Sequence, residues 1–135
     1  MKHSLPALLT LFVTFAGAAH AQDAKPVASA AEAKRNILER HDQSGVAGKE
    51  IVIGTAELPA GATIGWHKHP GDEIGYILSG TIIWKVRGQP ERELKAGDHF
   101  FNPRDSVHSV TSVGGGAVVS TWIVDKGKPM AESVK

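Results

Sequence analysis

From Lys49 onward the apolar positions fall in short runs rich in Val, Ile, Thr and aromatics: Glu50–Leu58, Thr63–Lys68, Glu73–Leu78, Thr81–Val86, Glu91–Leu94, His99–Phe101, Val107–Val113 and Ala117–Val124. Between them stand turn signals, among them Pro59-Ala60-Gly61, Pro70-Gly71-Asp72, Ser79-Gly80, Ala96-Gly97-Asp98 and Gly114-Gly115-Gly116. Runs of this length, punctuated by Gly, Pro and Asp, predict strands throughout, and so many in about 90 residues predict an all-β barrel or jelly roll with few exposed edges. The stretch Lys34 to His41 has fair helix propensity, but its apolar residues Ile37 and Leu38 are adjacent and make no helical stripe, so it reads as a short edge strand. Apolar residues on both parities of Thr81–Val86 and Ala117–Val124 imply that both faces of those strands want burial, which predicts a homodimer.

The first 21 residues break this pattern. Lys2 followed by the apolar run Leu5 to Phe15 resembles a secretory signal, and Ala19-His20-Ala21 supplies the small residues of a cleavage site. The apolar segment is shorter than the roughly 20 residues needed to span a bilayer. Residues 1–21 are therefore expected to be a signal peptide, 22–33 a flexible spacer, 34–128 the barrel and 129–135 a C-terminal tail, with the product periplasmic or secreted. Cleavage after Ala21 leaves 114 of the 135 residues, enough for one core. It removes one charged side chain, Lys2, and takes Lys+Arg from 15 to 14 against 14 Asp+Glu. A zero balance argues against nucleic acid or an anionic membrane as partner. No cysteine is present, which excludes disulfides and thiolate metal ligands.

Five histidines follow the expected cleavage point: His41, His67, His69, His99 and His108. His67 and His69 are two apart in one predicted strand, so both imidazoles leave the same face. Glu73 follows a turn that can return the next strand beside the first, and His108 belongs to a later strand. Three imidazoles and a carboxylate suit one divalent ion of the Mn, Fe, Co, Ni, Cu or Zn group, and an octahedral ion so held keeps two positions for water or substrate.

The spacing around these residues resembles the first motif of the cupin family: Gly61, five residues, His67-x-His69, three residues, Glu73, six residues, Gly80. The second cupin motif is matched at Gly97, Pro103 and His108, with Asp105 in place of its second Gly and Ser112 in place of its final Asn. Asp tolerates turn conformations, and Ser112 falls on the His108 face by strand alternation, where it is expected to support the ligand through a hydrogen bond. The resemblance implies a double-stranded β-helix barrel with a metal at its mouth, held by His67, His69, Glu73 and His108. It also implies, without choosing among them, an enzyme acting on a small oxygen-bearing molecule by dioxygenation resembling that of quercetinase-like cupins, isomerisation or lyase chemistry, a non-catalytic module that captures a small ligand or metal, or a structural metal. Base candidates are few: Glu73 itself, if it leaves the metal, and His99. His41 beside Asp42 reads as solvated, and Trp66, Trp84 and Trp122 as core or subunit-interface residues.

Overall fold

The computed structural model describes residues 32–135, so the expected signal peptide and nearly all of the spacer lie outside the described residues. The described residues form eight antiparallel strands: β1 (Lys34–Asp42), β2 (Lys49–Leu58), β3 (Thr63–Lys68), β4 (Gly71–Val86), β5 (Arg92–Lys95), β6 (His99–Asn102), β7 (His108–Asp125) and β8 (Glu132–Ser133). Two of them are twice as long as expected. Glu73–Leu78 and Thr81–Val86 are halves of β4, and Val107–Val113 and Ala117–Val124 are, but for Val107, halves of β7. At Ser79-Gly80 and Gly114-Gly116 the chain bends instead of reversing, so that one strand serves two sheets. The first half of β4 pairs with the second half of β7, and the second half of β4 with the first half of β7. One sheet therefore runs β1-β2-β7-β4-β6 and the other β8-β3-β7-β4-β5. This is the double-stranded β-helix.

The bend depends on glycine. Gly80 has φ +76°, and a Cβ there would lie 2.0 Å from the Gly115 carbonyl oxygen across the fold. Register slips between Ile77 and Ser79 and between Gly80 and Ile82 switch the inward parity of β4 from odd to even numbers. That switch lets Ile77 on one side and Ile82, Trp84 and Val86 on the other all face inward, where they join Leu58, Phe100 and Val118 in the main core. A fully buried side chain of this kind contributes roughly 1.5–3 kcal/mol relative to an exposed one. A second, smaller cluster of Val52, Trp122 and Val124 packs with Met130.

Two departures concern the chain's ends and turns. The barrel does not stop at residue 128: β8 pairs with β3, placing Ser133 opposite His67 and Glu132 opposite Lys68. Asp105, where the cupin pattern has glycine, takes φ 60°, and its amide donates to the His69 carbonyl at 3.1 Å. A left-handed conformation costs a β-substituted residue about 1–2 kcal/mol. Asp105→Gly is accordingly expected to be neutral or to stabilise by up to about 1 kcal/mol, and Asp105→Val to destabilise by about as much or more. Urea unfolding of the two variants checks this; a larger loss for the glycine variant would show that the Asp side chain, not the backbone, matters there.

Candidate metal centre

The site begins with a one-residue bulge. In β3, Ile64 lies opposite Val110 of β7, and His67 lies opposite His108, so three steps on β3 match two on β7. Plain alternation from Ile64 would send His67 outward. The extra residue at Gly65-Trp66 reverses the parity, and Ile64, His67 and His69 all turn toward the barrel interior while Trp66 stays half exposed beneath the Arg87 guanidinium. His108 enters from β7 and Glu73 from β4. All four are buried, at 1–6 % exposure.

Each imidazole is aimed by a backbone carbonyl. His67 Nδ1 is 2.8 Å from the Gly65 oxygen, His108 Nδ1 is 2.9 Å from the Ser106 oxygen, and His69 Nδ1 is 2.5 Å from the Met130 oxygen. A carbonyl only accepts, so Nδ1 carries the proton in all three rings and Nε2 presents its lone pair. The imidazole ligand atoms lie within 4.8 Å of one another, forming a cluster able to hold a metal ion. Glu73 Oε2 lies 3.3 Å from His69 Nε2 and 3.2 Å from His108 Nε2, about the edge length between adjacent ligands on an ion with bonds of about 2.0–2.2 Å.

The electrostatics point the same way. Nε2 of His69 and of His108 are buried with no hydrogen-bond partner among the described residues. Two lone pairs and a carboxylate converging at these distances are stable only with positive charge among them, supplied by ring protons or by a metal ion. Burial pushes the Glu73 carboxyl up, but the facing His108 and His69 side chains outweigh it and hold the group well below the usual carboxylate range. Burial pulls His67 down to about 4; its bond to the Gly65 carbonyl opposes this, and the neighbouring His108, His69 and Arg35 add to it. At neutral pH His67 is thus an unprotonated, ligand-ready imidazole. The donor set fits a borderline divalent ion.

Around these groups is a cavity of about 40 Å³, walled by Leu58, Phe100, Val118 and Trp122, with room for little more than an ion and one or two small oxygen ligands. Trp122 meets His69 edge-on, with ring centroids 5.9 Å apart, so it borders the site as well as the core; Trp84 lies within the core.

Two residues named from the sequence lie elsewhere. His99 alternates with buried Phe100 on β6, pairs with Tyr76, and points to the outer face, so it is no base for this cavity. Ser112 is buried on the His108 side of β7, as alternation requires, but its hydroxyl accepts from the Gly115 amide at 2.9 Å and so braces the β7 bend rather than a ligand. His41 is exposed and pairs with Glu39. The group that supports a ligand is one the sequence reading passed over. Asn102, 1 % exposed and opposite Glu73 in the sheet, donates Nδ2–H to Glu73 Oε2 at 2.8 Å. Asn102 shares the face of Phe100, but which face of β6 turns inward, and that Asn102 meets Glu73, depends on a register that nothing in the sequence gives.

Fold and site together define a small β-barrel with a preformed cluster able to hold a metal ion. The family profile Cupin_2, the cupin domain, matches residues 54–124, and the chain belongs to this family. Over 52 residues it is 40 % identical to the dimethylsulfoniopropionate lyase DddQ of Ruegeria pomeroyi, covering 38 % of this chain and 26 % of the lyase. Over 67 residues it is 39 % identical to an oxalate-binding protein of Thermotoga maritima, covering 49 % and 54 %. The chain thus spans between about a quarter and about half of the length of these relatives. Among solved structures, the R. pomeroyi DddQ crystal structure superposes with a TM-score of 0.59 at 27 % identity over 62 % of this chain and 43 % of that one. A cupin-like protein of T. maritima superposes with a TM-score of 0.60 at 26 % identity over 76 % and 75 %.

Proposed function

We propose that the chain is an exported metalloenzyme in which His67, His69, His108 and Glu73 together hold one divalent transition-metal ion, and that its substrate is a small oxygen-bearing organic molecule. The observation that carries this reading is the set of three Nδ1–carbonyl bonds that turn buried Nε2 lone pairs and one carboxylate toward a common point. When bound, the ion supplies Lewis-acid polarisation of a substrate oxygen. The protein's part is to hold the rings in one tautomer, orient Glu73 through Asn102, and exclude bulk water with Leu58, Phe100 and Val118. The likeness to a dimethylsulfoniopropionate lyase and to an oxalate-binding protein supports a small organic ligand at this place. The second reading is a binding module without turnover. It is favoured by one observation: beyond the three histidines and Glu73, the sole ionisable side chain lining the cavity among the described residues is Arg35, which does not serve as a base at neutral pH.

Elemental analysis of the purified protein, followed by oxygen uptake and product analysis with flavonols, catechols, diketones and small carboxylates, tests the proposal. Metal at one ion per chain with turnover of any member supports the enzyme; binding without turnover selects the second reading. With residues 1–21 directing export, as proposed, the ion enters outside the cytoplasm, where affinity order rather than cytoplasmic supply governs the choice. The exported protein is expected to carry mainly Zn, Cu or Ni, and protein made without residues 1–21 in the cytoplasm more Mn or Fe. Predominant Mn or Fe in the exported form would mean that site geometry overrides the affinity order.

A homodimer is proposed as the working form. On the outer face, Phe101, Ile74, Tyr76 and Leu78 are about half exposed, and Phe101 sits beside Ile74 while Tyr76 sits beside Val119. With Ile53 and Ile51 on the adjoining strand they make one apolar surface of the kind that monomers rarely leave open. Sedimentation is expected to show a dimer at micromolar concentration, and Tyr76→Glu a monomer that keeps its metal; a wild-type monomer overturns this.

A further inference from the structure

We propose that Arg35 of β1 is the anchor for a carboxylate group of the ligand, so that the site recognises a small organic acid at two points: one oxygen function at the metal position and one carboxylate on the Arg35 guanidinium. This rests on the metal-centre reading above and adds the ligand's charge class to it.

Arg35 stands opposite Ala56 in the β1–β2 pair, and both residues border the inner cavity. The same arginine also lines a wider, open vestibule of about 390 Å³, whose wall includes Ile64, Trp66 and His67. Three residues, Arg35, Ile64 and His67, are common to both spaces, so Arg35 stands at the junction between them.

Arg35 is also uncommitted. Arg40 is paired with Glu50, Arg104 with Asp125, Lys126 with Asp42 and Lys85 with Glu91, whereas among the described residues no carboxylate lies within salt-bridge distance of Arg35. The vestibule's own acidic residue, Glu32, is exposed and makes no such pair. An unpaired guanidinium at the lip of an apolar-walled cavity offers a planar fork matched to a carboxylate.

Charge agrees with this. A divalent ion with Glu73 leaves one net positive charge, and Arg35 adds a second a short distance outward, a field that favours a ligand with a carboxylate in addition to its metal-facing oxygen. The inner cavity has room for one such oxygen function, and the carboxylate takes the junction. Residue 35 lies outside the stretch 54–124 that matches the cupin domain, so the anchor is contributed by a strand beyond the matched barrel segment.

The test uses metal-loaded protein, with metal content measured for every variant, and calorimetric titration with oxalate, malonate and the neutral malonamide. Wild-type protein is expected to bind at least one of the two dianions and to bind malonamide much more weakly. Arg35→Ala should lose about 10- to 100-fold in dianion affinity with metal content unchanged, and Arg35→Lys should recover part of it. Equal dianion affinity in wild type and Arg35→Ala, or a loaded wild type that binds neither dianion, overturns the anchor. Failure of wild-type protein to hold any metal overturns the centre itself, a separate outcome read from the metal content alone.

Discussion

Replacing His67, His69 or His108 with Ala is expected to weaken binding of a divalent ion on the order of 100-fold or more, and Glu73→Ala by a similar order. The reason is geometric as well as chemical. Each ring is already held in the binding tautomer by a main-chain carbonyl, so the folded protein loses a preorganised ligand that no neighbour can replace. Asn102→Ala is expected to cost less, about 10- to 100-fold, because it removes the amide that orients Glu73 and leaves the carboxylate in place. His99→Ala and His41→Ala should leave metal affinity unchanged, since one side chain is on the outer face and the other is exposed on the edge strand. Competition titrations with a metal indicator read all of these. Equal losses for His99→Ala and His67→Ala would mean that the shell has been misassigned.

Stripping the ion with a chelator at pH 7.5 is expected to lower the melting temperature by on the order of 15 °C. At free ion about 1,000 times its dissociation constant, binding stabilises the native state by about 4 kcal/mol, and a domain of this size shifts by roughly 4 °C or more per kcal/mol. The effect depends on pH in a definite direction. His67 has its folded value lowered from 6.5 to about 4, so between those limits the unfolded chain takes up a proton at this ring that the folded chain refuses. This group's contribution is present above pH 6.5 and is lost as pH falls toward about 4, so both loaded and stripped protein should melt lower at pH 5 than at pH 7.5. Below about 4 the ring protonates in the folded state and competes with the ion, and the difference between loaded and stripped protein should close. Glu73 acts in the same sense at still lower pH, because its folded value is also depressed. Calorimetric melts with and without chelator at pH 7.5, 5 and 3.5 check this. A gap that persists undiminished at pH 3.5, or no gap at pH 7.5, would detach the site from the fold.

The choice of fold class was legible in local pattern: short apolar runs between turn residues leave little but a closed antiparallel architecture. The metal residues were legible for a related reason, since two histidines two apart share a face in any extended strand, and Gly61, Glu73 and Gly80 stand at matching intervals. Strand period, turn chemistry and side-chain donor type are properties of a few adjacent residues, so the chain carries them by itself. Which face points inward is another matter, because it depends on register. The bulge at Gly65-Trp66 is what sends His67 and His69 into the barrel, and the bends at Gly80 and Gly115 are what make two long strands of four expected short ones. His99 and Phe100 are equally plausible inward residues until β6 is laid against β4, and the packed position of the Phe100 ring against Gly75 then settles that His99 is outside. Three contacts join segments too distant for any sequence window: Met130 to His69, Asn102 to Glu73, and Arg35 to the mouth of the cavity. Sequence determined which candidate ligands this protein carries; the long-range pairing of strands, driven by burial of the core, decided where they point and which residues stand behind them.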